Sequence, residues 1–178
     1  MSIAIPSFQD TIRSSRLTAA ANALVTSFNL ARSEAIKRQQ QVVVSQTGAG
    51  WQNGWQIFVD IPPLAIAGAF ADDGDTILCE ATEDCLLRAY EPLRPSFILT
   101  GNNNFVNFVR YQPDGTISNV VGGSFVVCDN SDSNDIPEAN TSRLIIVSGT
   151  GRIRMGVDVD HNGIPEKDGV ELSSCTGF

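Results

Sequence analysis

A chain of 178 residues with 42% hydrophobic and 18% charged side chains can bury a sizeable core, which excludes the disordered and fibrous classes. Its net charge of −8 excludes a nucleic-acid partner held by overall charge and leaves only local basic patches for such a role. The acids crowd into 61–142 and 157–178, whereas Arg143, Arg152 and Arg154 stand in an acid-free stretch.

Between positions 6 and 41 there is no glycine and no proline after Pro6. Leu17, Ala21, Leu24, Phe28, Ala31 and Ala35 recur at alternating spacings of four and three, which is one stripe on a helix. About 35 residues at 1.5 Å each predict a rod of roughly 50 Å. Small residues at 18–23 suit close packing, and Arg32, Lys37 and Arg38 mark the end of the helix, where cations suit its dipole. The start, Met1-Ser2-Ile3-Ala4-Ile5-Pro6, reads as the tail of an apolar segment. No apolar run approaches the ~20 residues a bilayer needs. The expectation is a truncated chain whose anchoring segment precedes Met1.

Short strands bounded by Gly, Pro, Asn or Asp follow, at 42–45, 55–59, 105–111, 117–120, 124–128 and 143–148. The last pairs with 153–155 across Gly149-Thr150-Gly151 as a hairpin. Pro113-Asp114-Gly115-Thr116 is a turn signal. Two long polar stretches, 61–85 and 129–142, read as surface loops. Altogether the pattern predicts an α+β fold, with a long N-terminal helix over 1–41 packed on the antiparallel β-sheets of a head over 42–178.

Four cysteines, at 79, 85, 128 and 175, suit two disulfides in a secreted chain and allow three pairings. The favoured one is Cys79–Cys85, closing a short acidic loop, with Cys128–Cys175 tying down the C-terminus. Zinc is the alternative, but the spacing does not match a zinc knuckle and His161 is the sole histidine.

The chemistry-bearing residues argue against an enzyme. His161 sits in an acidic turn, no Gly-x-Ser-x-Gly elbow exists, and Asp72, Asp73 and Asp75 read as loop-solvating acids. Asp158, Asp160 and Asn162, followed by Gly163, match the opening of a calcium loop; Glu166, Asp168 or Glu171 would have to replace its missing bidentate carboxylate. The bland reading is an Asx turn with no metal, so no cofactor is assigned beyond that calcium option. Arg152 and Arg154 alternate on a strand and share a face, and Arg143 on the partner strand could approach them to form a phosphate-gripping patch. Pairing of these arginines with acids of the tail is the competing reading. Trp55, in an apolar strand, reads as core; Trp51 is open between core and stacking platform.

Four segments carry a resemblance: Ala4-Ile5-Pro6-Ser7-Phe8, then Ala31-Arg32-Ser33-Glu34-Ala35-Ile36-Lys37-Arg38, then Gly54-Trp55-Gln56-Ile57-Phe58-Val59-Asp60, and Gly151-Arg152-Ile153-Arg154. In this order the chain resembles the type IV pilin-like superfamily, in particular the GspH/FimT group of minor pilins and pseudopilins. The resemblance implies a structural subunit of a type IV pilus or of the related type II secretion pseudopilus. It also implies an inner-membrane-anchored precursor with a periplasmic head, which a prepilin peptidase cleaves and whose helix packs against other pilins. The cleavage site, the methylated first residue and the helix glutamate of the family would all precede Met1. In some members the Gly-Arg-x-Arg motif is associated with DNA capture for uptake in natural transformation. DNA binding through Arg143, Arg152 and Arg154 is therefore the alternative function.

Overall fold

A computed structural model describes residues 5–61, 68–72, 74, 79–80, 83–102, 104–118 and 121–178, with helix side chains described from Gln9 onward. Helix α1 spans Ile5–Arg38. All six members of its four-and-three stripe, from Leu17 to Ala35, are buried. The helix ends sooner than the expected position 41, because Gln39 turns into the left-handed region at φ 55° and its amide Nε2 donates to Ile36 O at 2.7 Å. Glu34 gathers the final turn, accepting from Lys37 at 3.4 Å and from Arg38 at 2.5 Å. The β-branched run that follows cannot keep a helical stripe, but it can populate both faces of a strand.

That strand is β1 (Gln41–Gln46). It is succeeded by a short 3₁₀ turn (Trp51–Asn53) and by β2 (Trp55–Asp60), β3 (Cys85–Tyr90), β4 (Phe97–Gly101) and β5 (Phe108–Tyr111). Then come β6 (Gly123–Asp129), β7 (Ser142–Val147) and β8 (Ile153–Met155), with a two-residue ribbon of β9 (Glu166–Lys167) and β10 (Val170–Glu171). One antiparallel sheet has the order β3-β2-β1-β5 and the other β4-β6-β7-β8. Register puts Val42 opposite Val59 and Tyr111, and Val44 opposite Ile57 and Val109, so these residues face one side together. They join the helix stripe and Phe125, Val127, Ile145 and Val147 of the second sheet in one core.

Several expectations shift. The strand expected at 105–111 shortens to β5: Phe105 is buried in a turn, its N–H donating to Asn102 O at 2.7 Å. Ile117 makes an isolated bridge to Tyr111 where a strand was expected over 117–120, and 119–120 lie outside the described residues. Strands β3 and β4 escape the sequence reading. Leu86, Leu87 and Ala89 favour helix locally, and only pairing with β2 makes that segment a strand.

The second sheet also buries its outer face. Val126, Cys128, Leu144 and Ile146 lie under Leu172 and Cys175 of the C-terminal tail, and the Cys128–Cys175 disulfide joins tail to sheet. The other disulfide is Cys79–Cys85. Beside it, the Asp84 carboxylate is buried and accepts from the N–H groups of Ile61 and Ala71, at 2.9 Å each.

Candidate functional site

Helix α1 is two surfaces end to end. From Leu17 onward it lies against both sheets, whereas none of its side chains from Gln9 to Arg16 is buried. The boundary is clamped by Arg143. Its guanidinium donates to Ser14 Oγ at 2.8 Å, Thr18 Oγ1 at 3.2 Å, Asn140 O at 3.3 Å and Ser142 O at 2.7 Å. Burial lowers the pKa of Arg143 from its ordinary value.

This contact corrects the expectation that three arginines form one patch. Arg143 pairs with Val127 in the register of the second sheet, two residues from core-facing Ile145, so its side chain points toward the helix. Arg154 lies opposite Ile146, on the other face. Arg152 and Arg154 are exposed on that outer face, and Arg154 Nη2 meets Asp168 Oδ1 at 2.8 Å. Among the described residues Arg152 has no ion pair.

The glycine of this Gly-Arg-x-Arg segment has its own geometry. Gly151 adopts φ 75°, and a Cβ there would collide with Gly115 O. Thus the β7–β8 turn rests directly on the turn at Gly115, whose carbonyl accepts from Arg32 Nε of the helix at 2.9 Å. Helix, turn and hairpin meet at one point, a junction that the separate turn signals in the sequence do not reveal.

Trp51 is not a stacking platform. It is 1% exposed, and its indole N–H is shared between Phe105 O and Val106 O, at 2.9 Å each. Trp55 is buried too, donating to Ser27 Oγ of the helix at 2.8 Å.

In the 158–163 loop, Asp158 and Asp160 accept from the Asn162 N–H at 3.1 and 3.2 Å, and Asp158 also accepts from the Gly163 N–H at 2.9 Å. The β9–β10 ribbon brings Glu166 to the Val159 N–H and Glu171 to the Asn162 amide, while Asp168 is taken by Arg154. Among the described residues no group of three or more His, Cys, Asp or Glu side chains is placed to hold a metal ion. His161 is exposed, at φ 62°.

A further surface escaped sequence reasoning. The uncovered part of the helix and the 129–141 loop enclose a groove of about 470 Å³, with Asp10, Asp129, Asp132 and Glu138 among its walls. Each acid alone looks like ordinary loop or helix solvation; only the fold brings them to one groove.

The model of the GspH family, the type II transport protein GspH, matches residues 20–151, well over half of the chain. The chain belongs to this family. No individually curated protein sequence matches it significantly. The fold of this GspH-family chain is similar to that of the type IV minor pilin FimU of Pseudomonas aeruginosa strain PAO1, seen in two crystal forms. One gives a TM-score of 0.59 at 19% identity, covering 90% of this chain and 96% of FimU. The other gives 0.57 at 18% identity, covering 89% and 98%. The matched family region runs from the buried part of the helix to the β7–β8 turn, so it contains the helix–turn–hairpin junction. Among the described residues, no helix is long and apolar enough to cross a membrane.

Proposed function

We propose that this chain works as a minor pilin or pseudopilin, a structural subunit that joins a filament through its N-terminal helix. One observation carries this reading: the stripe is wholly buried from Leu17 onward, while the same continuous helix runs on through a segment, Gln9 to Arg16, in which no side chain is buried and only Ile12 and Ser14 are partly covered. Membership of the GspH family supports assembly with other pilin-like proteins. Two disulfides suit an oxidising compartment, consistent with a periplasmic head on a precursor anchored in the inner membrane. The test is deletion of the gene followed by complementation with its full precursor. Loss and recovery of piliation, or of type II secretion, is expected, and the phenotype names the machine. Normal piliation and secretion in the deletion strain would overturn the reading.

Capture of DNA is the second reading, supported by the exposure of Arg152 and Arg154 on one face. Arg143 is engaged with the helix, so at most these two arginines are available to phosphate. Two phosphate contacts give a log–log salt slope no steeper than about −2. In a mobility-shift titration, binding with that slope that is lost in the Arg152→Ala/Arg154→Ala variant supports DNA capture. Absence of binding at low salt rejects it.

A further inference from the structure

The turn that leads into β7 carries a short motif whose side chains the fold leaves idle. Asn140-Thr141-Ser142 has the form Asn-x-Ser with a residue other than proline in the middle. Asn140 alone among the asparagines of the chain has a serine or threonine two residues on. In an exported chain this spacing is the acceptor pattern for an N-linked sugar, which belongs on a surface loop. The disulfides Cys79–Cys85 and Cys128–Cys175 suit an exported head.

Asn140 is exposed in that turn, at φ 66°. Its backbone is engaged, the N–H donating to Gly163 O at 2.8 Å and the carbonyl accepting from Arg143 Nη1 at 3.3 Å. Its carboxamide takes no hydrogen bond among the described residues, so it stands in solvent with room for a bulky substituent. The left-handed turn accounts for an asparagine here, but not for the residue two places on. Ser142 is 1% exposed at the start of β7, and its hydroxyl is buried without a hydrogen-bond partner. A hydroxyl stripped of water and given no bond costs the fold stability that alanine would keep. The acceptor motif gives both side chains a use: the carboxamide takes the sugar, and the hydroxyl is what a transferase recognises.

We propose that Asn140 is an N-glycosylation site, modified from a polyprenyl-diphosphate-linked oligosaccharide before β7 closes against β6. The timing follows from burial: once Ser142 pairs with Cys128, its hydroxyl is out of reach of any enzyme. In the transfer, Asn140 Nδ2 bonds to C1 of the first sugar as the bond from C1 to the diphosphate oxygen breaks. The polyprenyl diphosphate leaves with that electron pair, one amide proton passes to a base of the transferase, and nothing is oxidised or reduced. Arg143 also binds Ser14 Oγ, so the sugar on Asn140 stands beside the place where the helix leaves the head. The proposal requires export of the head and is independent of filament assembly.

The experiment recovers the protein from its own cells, expressed as the full precursor, and reads the tryptic peptide that ends at Arg143 by mass spectrometry with electron-transfer fragmentation. The expected result is a peptide heavier by an oligosaccharide, with the added mass localised to Asn140. That mass should disappear in Asn140→Gln and in Ser142→Ala and persist in Ser142→Thr. Ser142→Ala removes only an unbonded hydroxyl, so its Tm should equal or exceed that of the parent, which separates loss of the sugar from loss of the fold. An unmodified Asn140 in the protein from its own cells overturns the proposal. So does a sugar localised to a serine or threonine, or one on Asn140 that survives Ser142→Ala. Cells that assemble no filament should still modify Asn140, so failure of the filament reading and failure of this one give different results.

Discussion

Arg143 engages four acceptors with its guanidinium, two of them hydroxyls of the helix, at a place where the sequence offers only one more arginine among three. Its loss strips these bonds from a half-buried junction. Arg143→Ala is expected to cost about 1–2 kcal/mol, or roughly 3–8 °C in Tm for a chain of this size. Arg154→Ala, which removes one exposed ion pair, should stay within about 0.5 kcal/mol. Differential scanning fluorimetry of the two variants checks the contrast. Glu34 is the residue whose charge reports on the helix end. Its hydrogen bond to Arg38, helped by Lys37 and opposed by burial, holds its carboxyl below its ordinary pKa of 4.5. A carboxylate with a lowered folded-state pKa stabilises the fold above the unfolded value and loses that contribution as pH falls through the folded one. Glu34→Gln should therefore narrow the difference in stability between pH 6 and pH 3, by about 0.3–0.5 kcal/mol for such a surface pair.

At the scale of elements, the two sheets differ in how their outer faces are closed. The second sheet relies on the tail: Cys175 is bonded to Cys128 across 47 residues, Leu172 and Cys175 cover Val126 and Leu144, and the Cys175 N–H reaches Asp135 O. Opening that link frees a long loop in the unfolded chain. Cys128→Ala/Cys175→Ala is expected to lose about 2–4 kcal/mol in guanidinium unfolding, with the β6–β7 ladder retained by far-UV circular dichroism. The favoured pairing of cysteines was readable because a polar tail with one cysteine needs an anchor. The elements it fastens were less legible. β9 and β10 are two residues each, too short for any periodicity, and β3 carries residues of mixed preference whose strand conformation comes from Trp55 opposite Tyr90 and its neighbours.

For the whole molecule, the division of α1 into a buried and an uncovered part makes a simple prediction. A variant beginning at Ser14 keeps Leu17, the rest of the stripe and the Ser14 hydroxyl that Arg143 uses. It should unfold within about 2 °C of the longer chain, a change of under roughly 1 kcal/mol. The same deletion in the full precursor is expected to abolish incorporation into filaments. A Tm loss of about ten degrees or more would mean that the first turns belong to the fold of the head. Charge also acts at this scale, since an acidic head on a helix with basic turns restricts which faces of two copies can approach.

The sequence by itself determined the helix and its buried face, because Leu17 to Ala35 repeat at a period that only a helix converts into one stripe. It determined that 42–45 and 55–59 are strands, because dense β-branched and aromatic runs bounded by turn residues suit a pleated sheet, and it supplied the segments that carry the family resemblance. Tertiary structure decided which face of the sheet each arginine occupies. One residue of offset sends Arg143 to the helix and Arg154 to solvent, and that offset is set by pairing of β7 with β6 and β8. It also decided that Trp51 is interior and that acids from the helix and a distant loop share one groove. Such properties depend on contacts between residues far apart in the chain, which local pattern and composition do not encode.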